Sequence, residues 1–350
     1  MKVAVVYNET MPEIYNKTLG INKDIDFKPL FTLASPDPIS EFELIAKSIQ
    51  KIGYEAYTLN IKDSLNTFIK DYDKNKPDVV FNLVEIFNDQ PRLEMHFTGL
   101  MELMGVAFTG APPMALGTCQ NKTLTKRILS TLGIRTPHYK ILNDMKDSFR
   151  LGLHYPLIVK PAWEDASVGI DDNSIVYDVK ALKNRVEYVL NSFNQAALVE
   201  EFIVGREFNV AVFGDKELKV LPISEIDFSA MPNYLHPIVS FHAKWDPLHE
   251  AYHKTVPICP AQITKKVRSE AENLALQCYR AVGVRDYARV DMRLSKNDSK
   301  LYVLEVNPNP DLQEGAGFMR SAKYAGYSYR KMLKMLIDLA YQRKIEKEKK

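Results

Sequence analysis

The chain is short of cysteine, of net charge and of long apolar runs. Its three cysteines, Cys119, Cys259 and Cys278, show neither CxxC nor Cys/His spacing, which argues against a disulfide framework or a structural zinc site. Lys and Arg total 46 and Asp and Glu total 44, so the net charge of +2 gives no global field to attract nucleic acid or an anionic membrane. No stretch of about 18 apolar residues occurs, which predicts no membrane-spanning helix.

These absences narrow the partners and the compartment. The first apolar run, Val3–Tyr7, is too short for the apolar core of a signal peptide. We therefore expect a cytoplasmic protein without nucleic-acid or membrane partners, and any polyanion that it binds must be small. With 350 residues, of which 46% are hydrophobic and 26% charged, the chain has the size and composition of two or three globular domains.

The order of the predicted elements changes along the chain. Short apolar strands at residues 3–7, 55–61 and 78–84 alternate with helical patterns, which predicts a parallel sheet joined by right-handed crossovers. A Gly- and Pro-rich segment at 109–118 predicts a boundary. Beyond it, strands and helices mix, so we expect an α/β part followed by an α+β part.

Three local signals refine this prediction. Ser40 and Glu43 have capping-box spacing, which predicts a helix from about Ser40 to Ile52. Ser328 is expected to begin an amphipathic C-terminal helix. Residues 9–38 follow no regular period and are expected to form a long functional loop.

A hairpin within residues 287–310 carries the most informative pattern. One register places Asp291 opposite Glu305 and leaves the other side wholly apolar, whereas a shift by one residue would spoil both sides. The apolar side would consist of the pairs Val290–Val306, Met292–Leu304 and Leu294–Tyr302. The polar side would also pair Arg289 with Asn307.

Facing carboxylates repel each other, so a bound cation would stabilise this arrangement. The oxygen-only set Asp291, Glu305 and Asn307, without His or Cys nearby, suits Mg²⁺ or Mn²⁺ rather than zinc. Arg289 in the same patch favours a phosphate or a developing oxyanion. The alternative is that the acids face solvent beside Lys and Arg.

Two lysines are candidates for contact with phosphate. Lys160 ends an apolar strand and precedes a loop of small residues, including Ala166, Ser167 and Gly169, whose N–H groups could approach phosphate oxygens. The motifs GxxxxGK[ST] and GxGxxG are both absent. Lys122 is a second cation at a helix start. A solvated lysine is the alternative for each.

A third signal is the segment VEEFIVGREFNVAV at 199–212. It reads as two apolar strands with acids at Glu200, Glu201 and Glu207. An ordinary hairpin with charged edges is the alternative.

Together these segments resemble the ATP-grasp superfamily, and most closely its D-alanine:D-alanine ligase-like branch. The best matches are DVVFNLV, LMELMGVAFTG, Asn121–Lys122, IVKPAWEDASVG, VEEFIVGREFNV, LPISEI, HAKW, YARVDM, LEVNPNP and AGYSY. The resemblance implies an N-terminal Rossmann-like parallel-sheet domain followed by a two-lobed ATP-grasp fold. We expect these parts at 1–117, 118–200 and 201–342, with a charged tail at 343–350.

The resemblance also implies residue roles. Lys122 and Lys160 would contact the ATP phosphates, the loop around Ser167 would fold over them, and Lys244 of HAKW would lie near the γ-phosphate. Arg289 would stabilise the tetrahedral transition state. The adenine hinge would be Glu200, Glu201, Phe202 and Ile203, with Glu207 on the ribose, and Asp291, Glu305 and Asn307 would hold Mg²⁺ (or Mn²⁺).

Departures from the family pattern concern the substrates. The Glu-Val-Ser triad for the first amino acid is replaced by Pro36, Asp37 and Pro38, and Glu85 stands where those ligases have His. The turn after the metal strand is also different, and Arg320 beyond it could clamp another carboxylate. Asp37 and Glu85 could meet a substrate amine; surface positions are the alternative for all three charged residues.

We therefore expect an ADP-forming ligase that activates a carboxylate as an acyl phosphate with MgATP and joins it to an amine. The substrates would be an amino acid or small peptide and an amine other than D-alanine. The alternatives are a D-alanine:D-alanine ligase with an unusual pocket and an ATP-binding module without catalysis. By resemblance alone, a homodimer is expected.

Overall fold

The computed structural model describes residues 1–9, 25, 27–31 and 38–349. The predicted substrate residue Asp37 and most of the predicted loop at 9–38 lie outside these ranges. Within them, no helix combines the length and the apolar character that a membrane crossing requires.

Thirteen strands, eleven α-helices and two short 3₁₀ helices make up the described part of the chain. The strands are β1 (Lys2–Tyr7), β2 (Glu55–Asn60), β3 (Val79–Leu83), β4 (Tyr139–Leu142), β5 (Leu157–Pro161), β6 (Ile175–Val176), β7 (Ala197–Glu201), β8 (Gly205–Gly214), β9 (Leu218–Val220), β10 (Ser224–Asp227), β11 (Val256–Ile258), β12 (Asp286–Ser295) and β13 (Leu301–Pro308). The α-helices are α1 (Pro38–Gln50), α2 (Leu65–Asn75), α3 (Glu94–Leu103), α4 (Pro113–Gln120), α5 (Lys122–Thr131), α6 (Val179–Phe193), α7 (Phe241–Trp245), α8 (Glu250–Lys254), α9 (Lys265–Ala281), α10 (Gly317–Tyr324) and α11 (Tyr329–Glu348). The 3₁₀ helices are Pro91–Leu93 and Asp172–Ser174.

The N-terminal sheet is parallel, as predicted, with the strand order β2-β1-β3. Its central strand β1 is apolar on both faces because each face packs against a separate cluster. Val3 and Val5 belong to the cluster that contains Ile49 of α1, whereas Ala4 and Val6 belong to the cluster that contains Phe97 of α3. The predicted α/β character of this part is confirmed.

One helix start differs from its prediction, and a second helix begins inside the predicted boundary segment. Helix α1 begins at Pro38 rather than at Ser40, because proline suits the first turn of a helix, where its missing N–H is not needed. The segment 109–118, expected to mark a boundary, contains the start of α4 at Pro113 for the same reason. Gly53, at φ +98°, follows shortly after the end of helix α1 at Gln50.

The remaining strands form two antiparallel sheets, which confirms the predicted α+β part. One has the order β4-β7-β5-β6, and the other has the order β11-β10-β8-β12-β13 with β9 paired to β8. The larger sheet packs one face on α9, where Val290, Val306 and Ala275 are completely or almost completely buried. Its other face is apolar at one end, where Phe213 and Tyr287 pack with Phe318 of α10, and it carries polar side chains beyond them.

The hairpin β12–β13 has the predicted register only near the acids. Asp291 faces Glu305, but Met292 faces Val303 and Leu294 faces Leu301, because a β-bulge follows Asp291. The predicted pairs Met292–Leu304 and Leu294–Tyr302 are therefore wrong. The extra residue at the bulge lets Leu301 and Val303 share the buried side with Val306, which strict alternation would not allow.

The C-terminal helix α11 begins after Ser328, whose hydroxyl accepts a hydrogen bond from the Lys331 N–H at 3.3 Å, as predicted. It continues to Glu348 and so includes most of the residues expected to form a charged tail. Within that stretch, Arg343 forms an ion pair with Asp286, which is completely buried.

Candidate functional site

A polar cluster lies on the open face of the β12–β13 hairpin. Arg289 donates through Nε and Nη2 to the two oxygens of Asp291, both at 2.7 Å. The amide nitrogen of Asn307 donates to Asp291 at 2.8 Å and to Glu305 at 3.3 Å. The four side chains that strand alternation selected therefore converge, and the solvent-facing alternative for the acids is wrong for Asp291, which is 5% exposed.

Asn209 is a further member of this cluster that the sequence analysis missed. It lies opposite Asp291 on the neighbouring strand β8 and donates to Asp291 Oδ1 at 2.7 Å. The signal was the alternation within VEEFIVGREFNVAV, which puts Asn209 on the same side as Glu207.

The environment displaces the pKa values of the two acids in opposite directions. Burial raises the pKa of Asp291 to about 6, although Arg289 acts against this and Glu305 adds to it. Burial would also raise the pKa of Glu305, but Lys122, Lys160 and Arg289 outweigh it and hold that pKa at about 2. Glu305 is thus the permanent anion of the pair.

The cluster suits a hard divalent cation. Among the described residues, no group of three His, Cys, Asp or Glu side chains forms a metal site, so the donor set here is two carboxylates and one amide. The amide of Asn307 turns its nitrogen toward both acids, and a half-turn would present its oxygen instead. Two carboxylates and an amide oxygen are typical ligands of Mg²⁺.

Lys122 connects this cluster to the small-residue loop that follows β5. Its ammonium lies 3.8 Å from Glu305 Oε2 and donates to the carbonyl of Glu164 at 2.6 Å. The solvated alternative for Lys122 is wrong, because its side chain is 11% exposed. Burial would lower the pKa of Lys122, but Glu305 and Asp165 raise it overall, so the side chain stays cationic.

The same loop is fastened to helix α7. Ala166 and Ser167 both adopt left-handed backbone conformations, at φ 52° and 64°. The Ser167 hydroxyl donates to the carbonyl of Val239 at 2.8 Å, and the indole N–H of Trp245 donates to the carbonyl of Ala166 at 2.9 Å. Lys244 is exposed and lies over the Trp245 ring, 5.0 Å from its centre.

Lys160 is buried, so its solvated alternative is also wrong. Its ammonium pairs with one oxygen of Glu200, and the ammonium of Lys126 on α5 pairs with the other. The Glu200 side chain is 1% exposed, so its carboxylate points into the protein. Only the backbone of Glu200 can therefore border a ligand in the predicted adenine hinge.

Arg293 contacts Phe202 and Ile203 of the predicted hinge and also the neighbouring Glu207. This buried side chain donates to the Glu207 carboxylate at 2.9 and 2.8 Å and to the carbonyl of Ile203 at 3.0 Å. Its guanidinium also lies over the ring of Phe202, 4.7 Å from the centre. The carboxylate of Glu201 instead accepts the backbone N–H of His154 at 2.9 Å.

Arg293 was missed although a signal existed. Alternation along β12 puts Arg289, Asp291 and Arg293 on one face, so Arg293 is the next member of the series. Lys126 offered a weaker signal, since it follows Lys122 by one helical turn.

Comparison with known proteins identifies the family. A sequence model of the D-ala D-ala ligase C-terminus matches residues 128–338. The D-alanine--D-alanine ligase of Desulforudis audaxviator is 31% identical over 249 residues, which cover 70% of this chain and 76% of that protein. The chain belongs to the D-Ala-D-Ala ligase family. It is an ATP-binding ligase of the ATP-grasp type, and the predicted resemblance is confirmed.

Two further matches span almost the whole length of this member of the D-Ala-D-Ala ligase family. An uncharacterized protein, y4sG, of Sinorhizobium fredii is 29% identical over 98% of both chains. The crystal structure of D-alanine--D-alanine ligase from Bacillus anthracis complexed with ATP covers 99% of both chains with a TM-score of 0.72. At 23% identity this structural match shows the shared fold alone.

Glu85 and Arg320, the two predicted substrate residues within the described ranges, lie around the same site. The side chain of Glu85 is exposed, and desolvation by neighbouring groups, followed by repulsion from Asp311, raises its pKa to about 7. Arg320 donates to the carbonyl of Gly315 at 2.8 Å, and burial lowers its pKa. Helix α10, which carries Arg320, begins at Gly317 against the side chain of Arg289.

A buried polar cluster supports the turn after β13, and the sequence analysis missed it. Gln120 donates to the carboxyl of Glu94 at 2.9 Å, and Asn309 accepts the N–H of Ala111 at 2.8 Å. Burial, followed by repulsion from Glu85, raises the pKa of Glu94 well above its usual range. Asn309 also donates to Glu94 at 3.4 Å, so these side chains together hold the turn after the candidate metal strand in this member of the D-Ala-D-Ala ligase family.

Proposed function

We propose that the protein is an ADP-forming carboxylate–amine ligase that joins an amino acid or a small peptide to an amine other than D-alanine. One observation carries the proposal: Asp291 and Glu305 face each other in register, with the cations of Arg289 and Lys122 directly against them. The family's substrate-binding residues are replaced in this chain, whereas the residues expected to bind nucleotide and metal are retained.

Asp291, Glu305 and Asn307 would hold Mg²⁺, or Mn²⁺ in its place. When bound, the cation would neutralise phosphate charge that otherwise repels an incoming carboxylate. The fit is supported by the facing carboxylates and by the low pKa, about 2, that keeps Glu305 ionised.

The nucleotide would lie between the two antiparallel sheets. Lys122 and Lys160 would contact its phosphates, and the loop around Ser167 would cover them and exclude water. The backbone from Glu200 to Ile203 would border the adenine, and Glu207 would receive the ribose hydroxyls. This placement agrees with the bond from Lys122 to Glu164 and with the way Arg293 fixes Glu207.

The reaction would proceed in two displacements. A substrate carboxylate oxygen attacks the γ-phosphorus of ATP, and the bond to ADP breaks, which gives an acyl phosphate. An amine then attacks the acyl carbon, and after loss of a proton the phosphate leaves as an amide forms. Lys244 would lie beside the γ-phosphate, and Arg289 would stabilise the tetrahedral oxyanion with its fixed guanidinium. No protein nucleophile is needed.

The substrates would meet the charged residues that depart from the family pattern. Glu85 would accept a substrate ammonium, with Asp37 assigned the same role from the sequence alone. Arg320 would bind a carboxylate of the acceptor. The raised pKa of Glu85 supports this, because an anion that lacks a strong cationic partner gains from a bound ammonium.

The decisive experiment incubates purified protein with ATP, MgCl₂ and a panel of amino acids and amines, and follows phosphate release. Hydroxylamine would trap the acyl phosphate as a hydroxamate. We expect both signals with one carboxylate–amine pair and only background with D-alanine alone. Release with D-alanine alone would instead make the protein a D-alanine:D-alanine ligase, the activity named for its relatives at 31% and 30% identity. Silence with every pair would refute catalysis.

The predicted division at 1–117, 118–200 and 201–342 and the homodimer remain proposals. Limited proteolysis would test the division, and light scattering would test the dimer.

A further inference from the structure

Three buried charges form a row beneath the proposed phosphate site. Lys126 on α5 and Lys160 on β5 each pair with a different oxygen of Glu200 on β7. The side chains of Lys126 and Glu200 are 2% and 1% exposed. One carboxylate therefore has two buried cations, which is one more than charge neutrality requires.

The two lysines are held very differently. Lys126 also donates to the carbonyl of Leu304 at 3.3 Å and lies 5.8 Å from the centre of the Tyr139 ring, so the core fixes it. The ammonium of Lys160 has Glu200 as its one ion-pair partner within the described part of the chain, and its side chain is 11% exposed. Lys160 is thus the member of the row that can turn toward the cleft.

Lys160 can leave Glu200 at low energetic cost only if another cation stays beside that carboxylate. If Glu200 had no other partner, movement of Lys160 to an ATP phosphate would leave an uncompensated carboxylate in the interior, which is strongly unfavourable. Lys126 removes this obstacle because it keeps Glu200 neutralised. Burial lowers the pKa of Lys126, and the neighbouring Glu200 carboxylate acts against this.

We propose that Lys126 is a positioning residue that serves as the permanent counter-ion of Glu200, so that the Lys160 ammonium can exchange Glu200 for an ATP phosphate. The inference rests on the proposed function, which assigns Lys160 to the phosphates. It goes further because it gives a role to a residue that touches neither nucleotide nor substrate. Lys126 acts through charge, and its contact with Leu304 is secondary.

The test measures ATP binding by calorimetry with MgATP and the full chain, and it separates charge from packing. Lys126→Gln keeps a hydrogen-bond donor but removes the charge, and we expect it to weaken ATP binding at least about tenfold because Lys160 stays on Glu200. Lys126→Arg keeps the charge and should stay within about threefold of wild type. Circular dichroism and melting temperature would verify that each variant folds.

The double variant Lys126→Gln/Glu200→Gln is the critical control. A neutral glutamine at 200 needs no counter-ion, so Lys160 is free again and most of the lost affinity should return. A merely structural role predicts that the double variant binds ATP as weakly as the single variant or more weakly, and that result would overturn the proposal. If Lys126→Gln does not fold, a tenfold loss in a folded Lys126→Arg variant would overturn it equally.

A separate variant tests whether Lys160 contacts the ATP phosphates, as the proposed function requires. Lys160→Met should abolish measurable MgATP binding if Lys160 contacts phosphate. Unchanged binding in Lys160→Met would refute that part of the proposed function. Strong loss in Lys160→Met together with unchanged binding in Lys126→Gln would refute only the role of Lys126.

Discussion

Asp291 and Glu305 lie directly opposite each other on antiparallel strands, yet their pKa values are about 6 and about 2. The difference arises because the charges of Lys122 and Lys160 lower the pKa of Glu305, whereas Asp291 is the more deeply buried of the two. Arg289 binds Asp291 through two hydrogen bonds and is therefore already oriented before any substrate arrives. In a site without a protein nucleophile, preorganised charge of this kind is the main means of stabilising the transition state.

Arg289→Ala should remove turnover while ATP binding remains. The guanidinium would act only on the developing oxyanion, so we expect the rate with the productive substrate pair to fall by about 100-fold or more. ATP affinity should change by no more than about threefold, since Arg289 is assigned no nucleotide contact. Phosphate release and calorimetry would measure the two quantities. Retained turnover in the alanine variant would contradict the assigned role.

Trp245→Phe should loosen the loop that follows β5. The change removes the hydrogen bond to the Ala166 carbonyl, worth about 1 kcal/mol, so ATP affinity should fall by about fivefold. Hydrogen exchange at residues 163–170 should become faster in the same variant. Tyr177→Phe, at an exposed tyrosine, is the matched control, and equal exchange rates in the two variants would exclude this function of Trp245.

Glu85→Gln should alter the pH dependence of stability. The pKa of Glu85 rises from 4.5 to about 7, so the folded state binds more protons between these values and stability is lost as pH rises through them. Near pH 8 the variant should therefore melt above wild type, whereas near pH 4 the two should agree. Screening of the exposed side chain limits the gain to about 1 kcal/mol. Glu217→Gln, at an exposed position, should show no such pH-dependent difference.

Gly110→Ala should destabilise the turn after β13. A Cβ atom at Gly110 would lie 2.3 Å from Asn309 Oδ1, and the backbone at φ +95° suits glycine alone, so we expect a loss of at least about 2 kcal/mol. Gly105→Ala has a similar φ, +70°, but open space around it, and should cost only about 1 kcal/mol. Thermal unfolding would compare them, and equal losses would show that Asn309 moves aside.

Arg343→Met should lower the stability of the protein considerably, although Arg343 lies near the C-terminus. Asp286 is completely buried, and without Arg343 its carboxylate would lose its principal cation, which costs about 3 to 5 kcal/mol. Lys347→Met, at an exposed site on the same helix, should have almost no effect. Similar melting temperatures for both variants would show that Asp286 finds another partner.

Patterns with a short repeat were predictable from the sequence. Alternation of apolar residues selected the register that joins Asp291 to Glu305, and β-branched runs gave the parallel sheet. The bulge was not predictable, because it depends on how Leu301 and Val303 meet α9. The pairing of Lys126 with Glu200 joins residues far apart in the chain, and no local pattern reports such a contact.

The bulge at Leu304 changes which residues of β13 face the core. Up to that point odd-numbered residues of β13 enter the core, and beyond it even-numbered ones do, so the buried side continues while the parity of the numbering reverses. A regular hairpin that kept the acidic pair would place Tyr302 and Leu304 opposite Leu294 and Met292, in the positions that Leu301 and Val303 occupy here. A design that transfers this site to another protein should therefore include the β-bulge as well as the candidate metal-binding side chains.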